Sequence, residues 1–262
     1  MTMLPLNDRF LMRAESFSVY KFASLDSTSL FLKTHIARYP DYTVIVAENQ
    51  HGGRGRFDRK WQTVAGRSLT FSIKLPLEKI PQKSWSNITQ VMALSVSSMI
   101  EEMGLAPQIR WPNDILVGGV KLCGILAETL SIESESWLIL GVGLNVNEEK
   151  RHFYDIDRDA TSLHIETGNT FNLDDILKKL LLNFTGYYER FGEAGFSGLL
   201  EMISERLYRP EGLVQVIQGN ETFRGRISGI TDQGTILIET PEKMVEVVSG
   251  EITSHTDWEP FI

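Results

Sequence analysis

The chain has a single cysteine, Cys123, among its 262 residues, so no disulfide can form within it and its core must be held by packing and hydrogen bonding. No stretch approaches the ~18 consecutive apolar residues of a membrane span, and the first residues, MTMLPLNDRF, lack the basic-then-apolar order of a secretory leader. The expectation is a cytoplasmic protein without membrane attachment. Positive charge is scarce as well: 26 Lys and Arg against 34 Asp and Glu leave a formal net charge of −8, which argues against a general nucleic-acid surface. Neither a fixed-period repeat nor a low-complexity tract is present, and 42% hydrophobic composition is that of an ordinary globular protein.

What is there reads as alternating strands and helices. Phe17 to Phe22 reads as a strand, Leu25-Asp26-Ser27-Thr28 as the start of a helix running to about Arg38, and Thr43 to Ala47 as a buried strand. Glu48 to Gly66 has no periodicity and is rich in Gly and Arg, a long functional loop. A strand over Ser68 to Leu75 and a helix within Lys83 to Met103 follow, the latter from apolar residues at helical spacing. Ile115 to Val117 and Val120 to Ala127 flank Gly118-Gly119, a pair able to take the positive φ angles of a tight hairpin turn. Trp137 to Val146 reads as a further strand, and Leu173, Ile176, Leu177, Leu180, Leu181 and Phe184 trace the stripe of a helix capped by Asn172. After Pro210 the texture changes to four short alternating runs, Val214–Ile217, Thr222–Ile230, Thr235–Glu239 and Val245–Val248, separated by turns. The division expected is a main domain over 1–209 and a small β-barrel-like domain over 210–262.

Four constellations carry the chemistry. In Gly52-Gly53-Arg54-Gly55-Arg56-Phe57-Asp58-Arg59-Lys60-Trp61, glycines allow backbone N–H groups to turn inward while arginines bring fixed positive charge, a combination that wraps a small anion. No Gly-Lys-Ser/Thr follows and no helix is opened, so this is neither a Walker loop nor a dinucleotide fingerprint. Arg110-Trp111-Pro112-Asn113-Asp114 precedes the hairpin, and Lys121 interrupts the apolar strand after it. Strict alternation sets Val120, Leu122 and Leu126 on one face and Lys121, Cys123 and Ile125 on the other, so Lys121 either meets an anion, such as a ligand carboxylate or phosphate, or snorkels from an edge strand. Asp114 is a turn residue or a magnesium ligand near phosphates. Gly141-Val142-Gly143-Leu144-Asn145 breaks a strong strand with two glycines, as a β-bulge or as a place for close ligand approach. Ser27 and Thr28 suit a helix cap, and a helix N-terminus also offers donors to a polar ligand. Cys123, with no His-containing motif beside it, reads as a packed hydrophobe.

Taken in order, Leu25-Asp26-Ser27-Thr28, the Gly-Arg-Gly-Arg loop ending in Trp61, Trp111-Pro112-Asn113-Asp114, Lys121-Leu122-Cys123-Gly124-Ile125 and Gly143-Leu144-Asn145 resemble the catalytic domain of bacterial biotin protein ligases, from about residue 20 to the end. The resemblance implies an α+β fold: a mixed sheet with helices, of the class shared with lipoate ligases and class II aminoacyl-tRNA synthetases, plus a small C-terminal SH3-like barrel. It implies an enzyme that makes biotinyl-5'-AMP from biotin and ATP with Mg2+ and passes biotin to a lysine of a biotin carboxyl carrier protein. It implies that Ser27, Thr28 and Gln50 hold the ureido head of biotin, that Arg54, Gly55 and Arg56 order around the carboxylate and activated phosphate, and that Ser29 and Trp61 belong to the substrate-binding set. Lys121 would hold the reacting groups, with Arg54 and Arg56 also catalytic, Gly124 and Gly141 would line the biotin slot, Asn145 would contact the adenylate, and Asp114 would bind the metal.

Four positions depart from the family pattern. Asp58 stands where glycine is usual, Arg110 where lysine is usual, Cys123 where alanine is frequent, and His255 where an arginine contacting adenine is expected; Arg and Lys differ in shape and hydration, so no role passes to Arg110. Some members carry an N-terminal winged helix that binds DNA. Fewer than about twenty residues precede the first expected strand here, so the expectation is a monofunctional ligase without repressor activity. A lipoate ligase is the nearest competing enzyme and a non-catalytic biotin sensor the competing binder; the Gly-Arg-Gly-Arg loop favours biotin, and Lys121, Arg54 and Arg56 together favour catalysis. A homodimer through an exposed sheet edge is a further expectation of the resemblance.

Overall fold

The computed structural model describes residues 9–14, 17–154 and 159–254, with the side chains of residues 9–14, Asp58 and Ser254 outside the description. Strand β1 (Arg9–Ala14) pairs antiparallel with β2 (Phe17–Phe22), and helix α1 (Thr28–Thr34) with a 3-10 turn (Ile36–Arg38) carries the chain across to β3 (Thr43–Ala47), parallel to β2. All five residues of β3, TVIVA, are buried, as a β-branched run covered on both faces should be. Strand β4 (Ser68–Pro76) follows the loop, helix α2 (Asn87–Glu101) comes next, and then β5 (Pro107–Arg110), β6 (Asp114–Val117), β7 (Val120–Ile132) and β8 (Glu135–Asn145). The order across this eight-stranded mixed sheet is β1-β2-β3-β4-β8-β7-β6-β5.

Helices α3 (Leu163–Thr167), α4 (Leu173–Ala194) and α5 (Leu200–Glu205) complete the main body. The expected stripe of α4 is its buried face, and the Asn172 side chain accepts from the Asp174 and Asp175 amides at 2.8 and 3.3 Å. Helices α2 and α4 pack together on one face of the sheet over the largest core, which includes Phe71, Met92 and Phe184. A smaller cluster, Leu32, Ile36, Tyr39, Ile45 and Ile139 among others, seats α1 against the sheet. The face-on seat of α1 places its N-terminus beside β4 and β8, where the site forms.

Five strands, β9 (Val214–Gln218), β10 (Glu221–Ile230), β11 (Ile236–Glu239), β12 (Met244–Val247) and β13 (Glu251–Ser254), make a second, antiparallel sheet in the order β12-β11-β10-β9-β13. Its core takes in one side chain from far upstream: Trp111 packs with Val214, Val216, Ile236 and Ile252 and donates from Nε1 to the Gly234 carbonyl at 2.9 Å. The same carbonyl accepts from Gln90 Nε2 at 2.8 Å, and Asn87 Nδ2 donates to the Gln233 carbonyl at 3.1 Å. The small sheet is thus fastened to α2 and to the segment entering β6. The mixed α+β architecture expected from the sequence is the one observed.

Two local readings need correction. The Gly118-Gly119 turn has the expected positive φ angles, +58° and +80°, but strict alternation fails just beyond it. Ile115 pairs with Cys123 and Leu116 with Lys121, so Leu122 is an extra residue, a bulge. Leu122, Cys123 and Ile125 all join the large core, and Lys121 is turned to the side of Gly124 and Leu126. Strands β1, β5 and β13 are absent from the sequence reading: β5 and β13 have only four residues each, and the six of β1, RFLMRA, do not alternate apolar with polar.

Candidate active site

The floor of the site is a patch of backbone. Gly124 on β7 pairs with Gly143 on β8, Leu126 with Gly141, and Ser72 on β4 with Gly141 from the other side. A Cβ on Gly141 would lie 2.7 Å from Ser29 Oγ, one on Gly143 2.2 Å from Trp61 Cε2, and one on Gly124 3.1 Å from Trp61 Cζ3. Each distance is below or near hard-sphere contact, so the groove between sheet, α1 and the basic loop exists because these three positions lack side chains. The resulting cleft encloses about 950 Å³ including its open mouth.

One end of the cleft is neutral and polar. Ser27 caps α1, its Oγ accepting from the Leu30 amide at 3.4 Å, and Thr28 and Ser29 occupy the first turn. Gln50 Oε1 accepts from the Thr28 amide at 2.8 Å and from Thr28 Oγ1 at 3.2 Å. Ser72 Oγ lies 2.7 Å from Thr28 Oγ1 and 2.9 Å from Ser29 Oγ. Phe71, Ile125, Leu126, Val142 and the Trp61 indole carry the lining away from this cluster.

The other end is cationic. Within the basic loop, the Trp61 amide donates to the Gly53 carbonyl at 2.9 Å, Arg54 bridges to Lys60, and the Gly55 amide donates to the Arg59 carbonyl at 2.7 Å, so the segment folds back as a small hairpin. Phe57 at its tip takes a positive φ of 56° and lies under Arg56 and Arg59, with guanidinium carbons 4.9 and 5.9 Å from its ring centre. Arg56 Nη1 donates to the Gly250 carbonyl at 3.0 Å and to Asn113 Oδ1 at 3.4 Å, and Arg59 makes two 2.6 Å bonds to the two carboxylate oxygens of Glu251. The basic loop therefore closes against β13 of the small sheet. Arg56 is partly buried, and that burial, the largest influence on it, lowers its pKa from the usual guanidinium value.

Asp114 sits between two cations, Oδ1 at 2.7 Å from Lys121 Nζ and Oδ2 at 2.6 Å from Arg110 Nη2. Burial is the largest single influence on its carboxyl and opposes ionisation, but the attraction of Lys121 and Arg110 outweighs it and holds the pKa below the ordinary value. Lys121 Nζ also lies 5.6 Å over the Trp61 ring. The anion that Lys121 requires is thus already present in the protein. Behind it, complete burial pushes the Cys123 thiol far up, in keeping with a packed residue and not a nucleophile.

Of the thirteen site residues expected from the sequence, twelve line this one cleft: Ser27, Thr28, Ser29, Gln50, Arg54, Gly55, Arg56, Trp61, Asp114, Lys121, Gly124 and Gly141. Asn145 does not; its Nδ2 donates at 2.9 Å to the Thr161 carbonyl, away from the lining. Arg110, for which no role carried over, pairs with Asp114. Arg59 pairs with Glu251, and the Asp58 side chain lies outside the described residues, as does His255. The sequence reading missed Phe71, Glu251 and Ile252 in the lining and Ser72 behind it. Nothing in a strand apolar on both faces singles out Ser72, and Glu251 lies 192 positions from its partner Arg59.

Comparison with known proteins agrees with this geometry. Residues 20–145 match the biotin/lipoate A/B protein ligase family, and residues 214–253 match the biotin protein ligase C-terminal domain. A solved biotin protein ligase from Aquifex aeolicus, in complex with biotin and ATP, is 30% identical, with a TM-score of 0.80 over 90% of this chain and 97% of that one. The chain belongs to the biotin protein ligase family. Among curated members of this enzyme family, a bifunctional ligase/repressor of Bacillus subtilis is 34% identical over 220 residues, 81% of this chain and 66% of its own length. A biotin–[acetyl-CoA-carboxylase] ligase of Mycobacterium tuberculosis is 27% identical over 217 residues, 81% of this chain and 79% of its own. No helix among the described residues is long and apolar enough to cross a membrane.

Proposed function

We propose that the protein joins the biotin carboxylate to the α-phosphate of ATP, releasing pyrophosphate and forming biotinyl-5'-AMP, and then transfers the biotinyl group to a lysine of a biotin carboxyl carrier protein with release of AMP. The observation that carries this reading is the continuity of one cleft, from a hydroxyl and amide cluster at Thr28, Ser29 and Gln50 to the cations Arg54, Arg56 and Lys121. Such a cleft suits a ligand with a neutral polar head, an apolar body and an acidic end. Attack of the biotin carboxylate on the α-phosphate brings two anions together, and the transition state concentrates further charge between them. Arg54, Arg56 and Lys121 supply fixed counter-charge there, and the loop hairpin closing over the cleft excludes water from a reactive mixed anhydride.

Asp114 takes a different role from the expected one. Both of its oxygens face cations, so this carboxylate does not fit as a magnesium ligand in the arrangement observed. We assign it to holding Lys121 and Arg110, and no step here runs through a metal; magnesium belongs to the reading as the partner of the nucleotide phosphates. A division into catalytic and small C-terminal domains at 209/210 accompanies the proposal, supported by the start of the second sheet at Val214. The absence of a repressor role is supported by the net charge of −8 and by the inward-facing basic loop; a biotin-dependent gel shift on DNA would overturn it. A homodimer, or docking of the acceptor, is supported by residues 126–132 of β7, which among the described residues have a paired strand on one side only.

The test is biotin-dependent exchange of pyrophosphate into ATP, followed by mass spectrometry of a carrier domain incubated with the protein, ATP and either biotin or lipoate. A mass gain with biotin is expected. A gain with lipoate alone overturns the substrate assignment, and exchange without transfer overturns the acceptor.

A further inference from the structure

Ser72 lies in the middle of β4 with no exposed surface and does not line the cleft, yet its hydroxyl touches two side chains that do, Thr28 and Ser29. The three hydroxyls and Gln50 make three side-chain contacts: Thr28 to Gln50 at 3.2 Å, Thr28 to Ser72 at 2.7 Å and Ser29 to Ser72 at 2.9 Å. Each contact needs one proton, and each hydroxyl has one.

The protons can be placed in one way only. The Thr28 backbone N–H points at the Gln50 side chain at 2.8 Å, so the atom there must be an acceptor, the amide oxygen. A carbonyl oxygen brings no proton, so the Thr28 hydroxyl donates to it. The Thr28–Ser72 contact must then use the Ser72 proton, and the Ser29–Ser72 contact the Ser29 proton. Reversing any link leaves one buried contact without a proton.

We propose that Ser72 is a positioning residue that sets the direction of this chain, Ser29 to Ser72 to Thr28 to Gln50, and so leaves Ser29 facing the cleft as an acceptor only. Resting on the biotin reading above, the ligand group that Ser29 receives is a ring N–H of the ureido head. The Gln50 amide nitrogen, its oxygen being turned to Thr28, offers the complementary donor. A head group carrying an acceptor where that N–H belongs would set two oxygens against each other. Ser72 is therefore a determinant of specificity that never meets the ligand.

The experiment uses the full chain and calorimetric titration with biotin and with the two biotin analogues in which one or the other ureido N–H is replaced by a ring oxygen. One of these cyclic carbamates should bind the wild-type protein roughly 100-fold more weakly than biotin, the effect of an unmatched buried polar contact. Ser72→Ala frees the Ser29 proton to rotate into the cleft, so the preference should narrow to roughly tenfold for that regioisomer while the other changes little. The KM for ATP should stay within about twofold. If Ser72→Ala does not fold, Ser72→Cys keeps a similar volume with a weak donor and should show the same narrowing. An unchanged ratio in either folded variant, or a KM for ATP that rises in step with biotin affinity loss, overturns the role of Ser72. No biotin binding by the wild-type protein overturns the biotin reading instead.

Discussion

Replacing Glu251 by alanine removes the partner of Arg59 in the contact that closes the basic loop onto the small sheet. The pair is bidentate, with both bonds at 2.6 Å, but the Arg59 side chain is 44% exposed and that of Glu251 21%. Exposed ion pairs contribute ~0–1 kcal/mol, and two-pronged geometry places this one at the upper end, about 1 kcal/mol. Loss of that contact should raise the population of open loop about fivefold, with Arg56 still held by the Gly250 carbonyl. Trypsin reads the open state directly, because Arg54, Arg56, Arg59 and Lys60 are four cleavage sites within seven residues. Initial cleavage within the loop should be about fivefold faster in Glu251→Ala, and 1 M salt should bring the wild-type rate most of the way to the variant's. Arg59→Glu combined with Glu251→Arg should recover the slow rate. Equal cleavage of wild type and Glu251→Ala at low salt would refute the idea that this pair holds the loop.

Lys121→Ala should abolish adenylate formation and lower stability at pH 7 by about 1–3 kcal/mol, because buried Asp114 loses one of its two cations. The Asp114 pKa is depressed in the wild-type fold, so this contribution is present at neutral pH and lost as pH falls through the depressed pKa; urea unfolding of both proteins should therefore converge in acid. Gly143→Ala would place a methyl group 2.2 Å from the Trp61 indole and should expel it, detected as a red-shifted tryptophan emission together with at least about tenfold weaker biotin binding. Trp111→Ala should cost about 3–5 kcal/mol, read as a lower midpoint of thermal unfolding, since its ring lies in the core of the second sheet.

Elements with a strong local signal were legible in the sequence. The Gly118-Gly119 turn needs positive φ angles, and the apolar stripe of α4 repeats over three turns, so both announce themselves within a short window. The site was legible for another reason: Arg and Gly concentrated between Gly52 and Trp61 have few roles besides holding an anion. What escaped depends on residues distant in sequence. The bulge at Leu122 reverses the face of Lys121, and alternation alone has no means of marking an inserted residue. Ser72 is one of nine residues in β4, eight of them buried, and only the arrival of α1 above it gives its hydroxyl a task. Glu251 belongs to the cleft because β13 is brought beside the loop by the docking of the whole small sheet.

The place of Trp111 has a bearing on how this protein can be cut and recombined. The residue precedes Pro112, Asn113 and Asp114, which line the cleft, while its own ring is enclosed by strands that begin a hundred positions later. A chimera that exchanges residues 210–262 with those of a relative would bring a foreign pocket to this indole, and a truncation there would leave the ring bare beside the reacting groups. The tail and the Arg110–Asp114 segment are therefore one unit of inheritance, separable in the chain but not in the molecule.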